Sequence, residues 1–172
     1  MILKAFREKS NQKFVNNLLE NRDQNVQNKK VRHVGVILNQ DEFSDPEPFR
    51  SLFKEFNLNS PKNTVVFFCE KEEDKRAQWE TYFIAKDFGW SGKLRNSELH
   101  QFVEEPFDML IAFYNENRPE LHQIVAMSKA NFKVGIHNHD QRLFDLILEL
   151  SVSRFDLFKL ELRKYLTILK KI

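Results

Sequence analysis

The amino-acid sequence predicts an α/β domain in which helices cover both faces of a mainly parallel sheet of four to six strands. Three observations predict this three-layer, flavodoxin-like or half-Rossmann class. Short apolar runs recur along the chain, as is typical of strands buried on both faces. Segments with helical spacing of apolar residues separate these runs, and two of them open with a proline after a capping residue. Such alternation forms parallel sheets with right-handed crossovers.

The chain of 172 residues suits a single domain over 1–172 that needs no disulfide or metal to fold. We expect a helix and a polar connector over 1–30, the sheet core over 31–150, and a helix over 153–172. The two terminal helices are predicted to cover the sheet, and to lie side by side because each has an apolar stripe to bury.

In the first half of the chain, apolar spacing predicts a helix over 2–21 and a first strand from Val31 to Leu38. Ser44 to Glu47 has a capping side chain, a proline and acids, and it predicts the start of a helix. A second strand is expected over 64–70. A short helix over 75–80 and a short strand over 82–85 follow.

The loop over 87–92 is rich in aromatic residues, which predicts either a buried plug over the sheet edge or an exposed interaction site. A short helix begins near Asn96. The second half then predicts strands over 108–114, 132–136 and 145–150, although the last also fits a helical period.

Two more helices are expected in this half of the chain. Asn117 to Glu120 again combines a cap with a proline and starts a helix through Met127. Ser153 is predicted to cap the last helix. The core of the predicted sheet consists of seven nearly fully buried strand residues: Val36, Leu38, Val66, Phe68, Leu110, Ala112 and Val134.

Several function classes lack their usual signatures in this sequence. The four glycines are isolated from one another, so no glycine-rich loop brings a backbone close to a pyrophosphate. G-x-S-x-G, C-x-x-C and H-E-x-x-H are absent as well. We therefore assign no catalytic residue and expect no cofactor and no bound metal. The sequence leans against an enzyme.

The single cysteine and the N-terminus both favour a soluble cytoplasmic protein. Cys69 lies in an apolar run and is predicted to be a small buried residue. The N-terminus carries charges where a signal peptide needs an apolar run, and no stretch approaches the ~20 apolar residues of a membrane span.

Polar side chains follow three of the predicted strands. Because ligands of open α/β sheets bind outside the carboxyl ends of the strands, these residues form a candidate ligand-binding rim. The alternative is that they serve turns and caps. The rim consists of Asn39, Asp41, Asn115, Asn117, His137 and His139.

The sharpest feature of that rim is His137-Asn138-His139-Asp140. In extended chain the two imidazoles point to the same side, where they are able to meet one metal ion or one phosphate. Asp140 is placed to orient either ring. The alternative is a solvated loop, because a third metal ligand is not identifiable.

The charge is unevenly distributed. Residues 1–33 hold eight Lys and Arg against three Asp and Glu, and residues 154–172 hold six against two, whereas residues 34–153 hold thirteen against twenty. The basic ends indicate either an acidic protein or RNA partner, or pairing with the acidic body. The candidate basic patch consists of Lys4, Arg7, Lys9, Lys13, Lys159, Arg163, Lys164, Lys170 and Lys171.

Three segments carry a resemblance to known proteins: 86–90, 106–108 and 128–135. With the start Met1-Ile2-Leu3-Lys4, they resemble an uncharacterised bacterial family of about this length, a domain of unknown function. That resemblance covers nearly the whole chain and implies no activity. About 30 residues around Val134-Gly135 are also similar to the N-terminal half of heptosyltransferase-like glycosyltransferases, whose sugar nucleotide binds largely through a second domain.

Three hypotheses about function follow from the sequence. The first is a non-enzymatic interaction or regulatory domain, which the missing motifs and the charge distribution favour. The second is a small ligand-binding protein or enzyme that uses the rim. The third is RNA or ribosome association through the basic termini.

Overall fold

The computed structural model describes residues 1–74, 79–137 and 139–172 of the chain. Its strands and helices alternate over most of the length. The strands are β1 (Val34–Asn39), β2 (Thr64–Phe68), β3 (Thr81–Phe83), β4 (Met109–Phe113), β5 (Phe132–Ile136) and β6 (Leu146–Leu148). The α-helices are α1 (Ile2–Glu20), α2 (Glu47–Glu55), α3 (Ser97–Glu104), α4 (Pro119–Met127) and α5 (Phe155–Ile168).

The six strands form one parallel sheet in the order β3-β2-β1-β4-β5-β6. This confirms the predicted α/β class with helices on both faces. The order is that of Rossmann-type doubly wound folds rather than of flavodoxin. Its direction reverses between β1 and β4, so the carboxyl ends of these two strands define the switch point of the sheet.

Two separate apolar cores lie on the two faces of the sheet. One core joins the sheet to α2 and α5, through Phe49 and Phe158 among others. The other joins it to α1, α3 and α4, through Leu19, Phe102 and Ile124 among others. The seven predicted core residues lie in strands and are at most 1 % exposed, which confirms that prediction. Cys69 is buried, as predicted.

The prediction that the terminal helices lie side by side is wrong. Their buried side chains belong to the two different cores, Leu19 of α1 on one face and Phe158 of α5 on the other. Because a doubly wound sheet has two apolar faces, each helix buries its stripe against the sheet itself. The nine cations of the candidate basic patch are therefore divided between opposite faces.

Several predicted boundaries are also corrected. β1 begins at Val34 rather than Val31, because the Asp108 carboxylate accepts the backbone N–H groups of Arg32 and His33, both at 3.0 Å. β2 ends at Phe68 rather than Glu70.

At the end of the chain, the segment over 145–150 contains strand β6, as predicted, and no helix. Ser153 does not cap α5. The hydroxyl of Ser151 accepts the Ser153 N–H and starts a 3-10 turn instead, and α5 follows at Phe155.

In the middle of the chain, the helix predicted over 75–80 falls largely outside the described residues, and the short strand spans Thr81–Phe83. The aromatic loop over 87–92 has one buried and one exposed ring, so both of the alternatives expected for it occur. Phe88 is buried in the core, whereas Trp90 is 47 % exposed. Asn96 caps α3 by accepting the Leu99 N–H at 3.1 Å.

Candidate functional site

The switch point of the sheet is closed by side chains of the chain itself. The carboxylate of Glu42, just after β1, accepts the backbone N–H groups of Asn115 and Glu116 at 3.0–3.1 Å. Asn39 at the end of β1 is fully buried and donates its amide to the Glu116 carboxylate at 3.0 Å. These bonds fix the loops after β1 and β4 to each other where a doubly wound fold commonly binds its ligand.

Phenylalanine packing completes the closure. Phe43 follows Glu42 in the chain, and its ring centre lies 5.1 Å from that of Phe113 at the end of β4. It also lies 5.6 Å from the ring of Phe155 at the start of α5. Glu42 and Phe43 thus stand where nucleotide-binding doubly wound folds have a glycine-rich loop after the first strand.

Of two further rim residues, Asn115 has a structural role and Asp41 is exposed to solvent. The Asn115 side chain donates to the Ser151 hydroxyl at 3.1 Å and accepts the Val152 N–H at 3.2 Å, so it joins the β4 loop to the start of α5. Asp41 is exposed, and its backbone N–H donates to Asn39. The alternative role in turns and caps therefore describes Asn39 and Asn115.

A cluster of aromatic polar side chains lies beside this closed crevice, at the carboxyl ends of β4 and β5. We call Tyr114, His122, His137 and His139 the histidine–tyrosine cluster. The His139 ring centre lies 4.9 Å from that of Tyr114, 5.3 Å from that of His122 and 5.8 Å from that of His137. Of the six rim residues, the structure thus brings His137 and His139 together.

The hydrogen bond of His139 fixes the tautomer of its ring. Its Nε2 lies 2.9 Å from the Tyr114 carbonyl oxygen. Because a carbonyl oxygen only accepts, Nε2 carries the hydrogen, and Nδ1 of the neutral ring presents a lone pair. Within the described part of the chain, that Nδ1, the His122 Nε2 and the Tyr114 hydroxyl are buried without a hydrogen-bond partner.

Burial sets the protonation of the cluster. It lowers the pKa of His139, and together with the neighbouring His139 it lowers the pKa of His122 to about 4. Burial also raises the pKa of the Tyr114 hydroxyl well above its usual range. Both imidazoles and the phenol are therefore neutral at pH 7, and they interact with a ligand through hydrogen bonds rather than through charge.

A groove of about 520 Å³ beside α1 reaches one member of the cluster, His122. His122 and Asn117 line it at the beginning of α4, and Asp140 and Arg142 line it from the loop after β5. The Arg142 guanidinium is paired with the Asp140 carboxylate at 2.7 Å. Asn117, the sixth rim residue, thus lies on the route to His122.

Sequence reasoning missed Tyr114, His122 and Glu42. Tyr114 was included in an apolar strand, and His122 lies inside the α4 pattern. One signal was present: α4 connects β4 to β5, so its first turn has to lie above the carboxyl ends of these two strands. A histidine in that turn is therefore brought close to any side chain that follows either strand.

The cations of the candidate basic patch are partly used within the molecule. In α5, Lys159 pairs with Glu55 at 3.0 Å, Arg163 donates to the Glu55 carbonyl at 3.0 Å, and Lys164 pairs with Glu161. In α1, Lys4 lies 3.9 Å from Glu8. Of these cations, Lys159 pairs with an acid of the body, whereas Lys164 pairs within its own helix.

We expect acid to destabilise the protein through His122. Its pKa is about 4 in the folded state against 6.5 ordinarily, so between these values the unfolded chain binds more protons. The contribution of the neutral His122 to the free energy of unfolding is therefore full above pH 6.5 and decreases as the pH falls toward 4. Because the ring partly faces the groove, the loss is roughly 2 kcal/mol. Urea unfolding at a series of pH values measures it.

The matched variants for this prediction are His122→Gln and His100→Gln. His122→Gln should flatten the pH dependence, and His100→Gln, on the exposed surface of α3, is the control for the loss of a histidine as such. An unchanged slope in His122→Gln would show that His122 does not titrate as described.

Within 1–74, 79–137 and 139–172, no three His, Cys, Asp or Glu side chains are arranged to hold a metal ion. No helix of the described chain is both long and apolar enough to cross a membrane.

Comparison with known proteins identifies a family. Comparison with curated proteins and with solved structures gives no match. The similarity to heptosyltransferase-like glycosyltransferases and the bacterial origin stay predictions. One family model matches residues 7–169, nearly the whole chain. The protein therefore belongs to a family of unknown function, DUF6913.

Proposed function

We propose that the protein is a non-enzymatic regulatory domain that binds a small molecule at the histidine–tyrosine cluster. One observation carries the proposal: three buried polar atoms that have no hydrogen-bond partner among the described residues lie on three rings that contact one another. A buried unsatisfied polar group costs about 1–3 kcal/mol, so three in one place need a reason. A ligand that pairs with them supplies that reason.

The chemistry of these atoms defines the ligand class. His139 Nδ1 only accepts a hydrogen bond, whereas the Tyr114 hydroxyl both donates and accepts. All three groups are neutral at pH 7, as their pKa directions require. The complementary ligand is a small neutral molecule with at least one N–H or O–H donor and one acceptor, such as an amide or a polyol. It reaches the cluster through the groove beside α1.

The closed switch point supports binding rather than nucleotide-dependent catalysis. Hydrogen bonds of Glu42 and ring contacts of Phe43 tie the loops after β1 and β4 together, at the place where doubly wound enzymes commonly bind their ligand. RNA association has less support, because the basic termini lie on opposite faces and the α5 cations are paired with acids.

We expect Tyr114→Phe to stabilise the free protein by roughly 1 kcal/mol. The substitution removes a buried hydroxyl that has no partner and leaves the ring in place. A chain of this size should then unfold about 2–4 °C higher. Tyr165→Phe is the control, because that ring is only partly buried, and its melting temperature should stay unchanged. A destabilised Tyr114→Phe would show that the hydroxyl is satisfied in the free protein.

Binding is tested by titrating the protein with a set of small neutral amides and polyols. The histidine ring signals in ¹H–¹³C NMR spectra are the readout. The proposal requires that at least one probe shifts the His122 and His139 signals and leaves those of His100 unchanged. Tyr114→Phe should bind that probe at least about tenfold more weakly, the loss of one hydrogen bond in a buried site. A set that leaves both rings unshifted, or equal affinity in Tyr114→Phe, would refute ligand binding at this cluster.

A further inference from the structure

A second cavity, of about 560 Å³, lies at the β6 side of the sheet, and no residue of the histidine–tyrosine cluster lines it. Three separate parts of the chain build it: the connector after α1, the segment between β5 and β6, and the C-terminal tail. Its charged lining residues are Arg22, Arg142, Asp145 and Lys171. The lining thus carries three cations against one acid.

Most of these charges already have partners. Arg22 pairs with Asp145 at 2.8 Å and also donates to the Arg142 carbonyl at 3.0 Å. The Arg142 guanidinium holds Asp140, which lies outside the lining. With Asp140 counted, one positive charge at this cavity is still left without an acid.

That charge belongs to Lys171. The residue is only 5 % exposed, and its ammonium lies 3.4 Å from the Gln27 carbonyl oxygen and 4.9 Å from the centre of the Phe132 ring. The two carboxylates whose charge acts on Lys171 already pair with other cations, Asp145 with Arg22 and Asp108 with Lys29. Burial lowers the pKa of Lys171. A buried ammonium without an anion is costly, and an anion in the cavity would remove that cost.

The remaining lining is suited to the organic part of a ligand. Its apolar walls and its amides are provided by residues of all three parts of the chain. The cavity volume lies within the range of small-molecule sites and is larger than a bare inorganic anion needs. The apolar lining residues are Val26, Phe132, Phe144 and Leu169, and the amides are Gln24, Asn28 and Gln141.

We propose that this cavity binds a small organic phosphate, with its phosphoryl group on Lys171 and Arg142 and its apolar part against Phe132 and Phe144. A phosphate monoester carries about −1.5 to −2 charges at pH 7 and three strong acceptor oxygens, which suit the Lys171 ammonium and the half-exposed Arg142 guanidinium. Arg142 also lines the groove beside α1, but Lys171 and Phe132 do not, so a Lys171 variant tests this cavity and not the histidine–tyrosine cluster.

The experiment is isothermal titration calorimetry of the purified full chain with four probes at constant ionic strength. The probes are phenyl phosphate, inorganic phosphate, benzoate and benzyl alcohol. Phenyl phosphate should bind roughly tenfold more tightly than inorganic phosphate, because its ring buries apolar area. Benzoate should bind more weakly than phenyl phosphate, and benzyl alcohol should not bind.

The matched variants are Lys171→Met and Lys170→Met, since Lys170 is the exposed neighbour. Lys171→Met should lose at least about tenfold in phenyl phosphate affinity, as expected for the loss of a charged hydrogen bond, and Lys170→Met should equal the wild type. If Lys171→Met does not fold, Lys171→Gln, whose amide can still donate to the Gln27 carbonyl, replaces it with the same expectation. Benzyl alcohol binding as tightly as phenyl phosphate, no binding of phenyl phosphate, or equal affinity in the variant would overturn the proposal.

Discussion

Replacement of Phe113 by alanine is expected to lower the free energy of unfolding by about 3–5 kcal/mol. Phe113 ends the central strand β4 and is fully buried. Its ring contacts four others, with centre-to-centre distances of 5.1 Å to Phe43, 5.3 Å to Phe49, 5.7 Å to Phe155 and 4.8 Å to Phe158. The truncation leaves a cavity that these rings, held on separate elements, cannot fill.

Guanidinium chloride unfolding measures this loss. Phe6→Ala is the matched control, because that ring is 58 % exposed on α1 and its loss should cost less than about 0.5 kcal/mol. Phe113→Leu should fall between the two, since leucine fills part of the same space. A loss below about 1.5 kcal/mol in Phe113→Ala would mean that the rings do not pack around Phe113 as described.

The sequence predicted the strand that contains Phe113 but not its position in the sheet. An apolar run bounded by Pro106 and Asn115 is typical of a buried strand, and β4 lies inside it. The order of the strands depends on which crossover passes over which face. Every buried parallel strand has the same apolar pattern, so this order is not encoded locally.

The face that each terminal helix covers was unpredictable for a related reason. An apolar stripe shows that a helix packs against something, and a doubly wound sheet offers two apolar faces. The stripe of α1 meets the core of α3 and α4, and that of α5 meets the core of α2. The two cores exist only once the sheet has formed, so the sequence of either helix does not show which core it joins.

For the candidate site, the sequence predicted the paired histidines and missed their neighbours. The spacing of His137 and His139 favoured one shared side in an extended chain. In the structure His137 has a φ of 62°, so the chain turns there, and the two rings still lie 5.8 Å apart. His122 lies on the preceding helix α4. Its contact with His139 depends on how α4 lies over the sheet, which the spacing of residues does not show.

The basic N-terminal part of the chain is held to the acidic body by ion pairs. Cations near the N-terminus pair with acids of the body: Lys29 with Asp108 at 2.7 Å, and Arg22 with Asp145 at 2.8 Å. The second pair is mostly buried, with 14 % of the Arg22 side chain and 10 % of the Asp145 side chain exposed. A buried pair loses far more than a surface pair when one partner is removed.

We therefore expect Asp145→Ala to lower the free energy of unfolding by about 3–5 kcal/mol, the usual cost of leaving one charge of a buried pair uncompensated. Asp145 also accepts the Lys133 backbone N–H at 2.7 Å, which the substitution leaves without its acceptor. The control is Glu104→Ala, which breaks the exposed pair of Glu104 and Lys129 and should cost less than about 1 kcal/mol. Urea unfolding of both variants measures the two losses.

A double variant separates the charge from the shape. Arg22→Met with Asp145→Asn removes both charges, so no buried ion is left uncompensated, and the asparagine oxygen can still accept the Lys133 N–H. We expect it to recover at least half of the loss seen in Asp145→Ala, because replacing a buried pair by neutral groups is often close to neutral. Equal losses in Asp145→Ala and Glu104→Ala would contradict the burial of the pair. In that case the connector after α1 would not be anchored to β6 by charge, and the cavity it lines would lose one of its three walls.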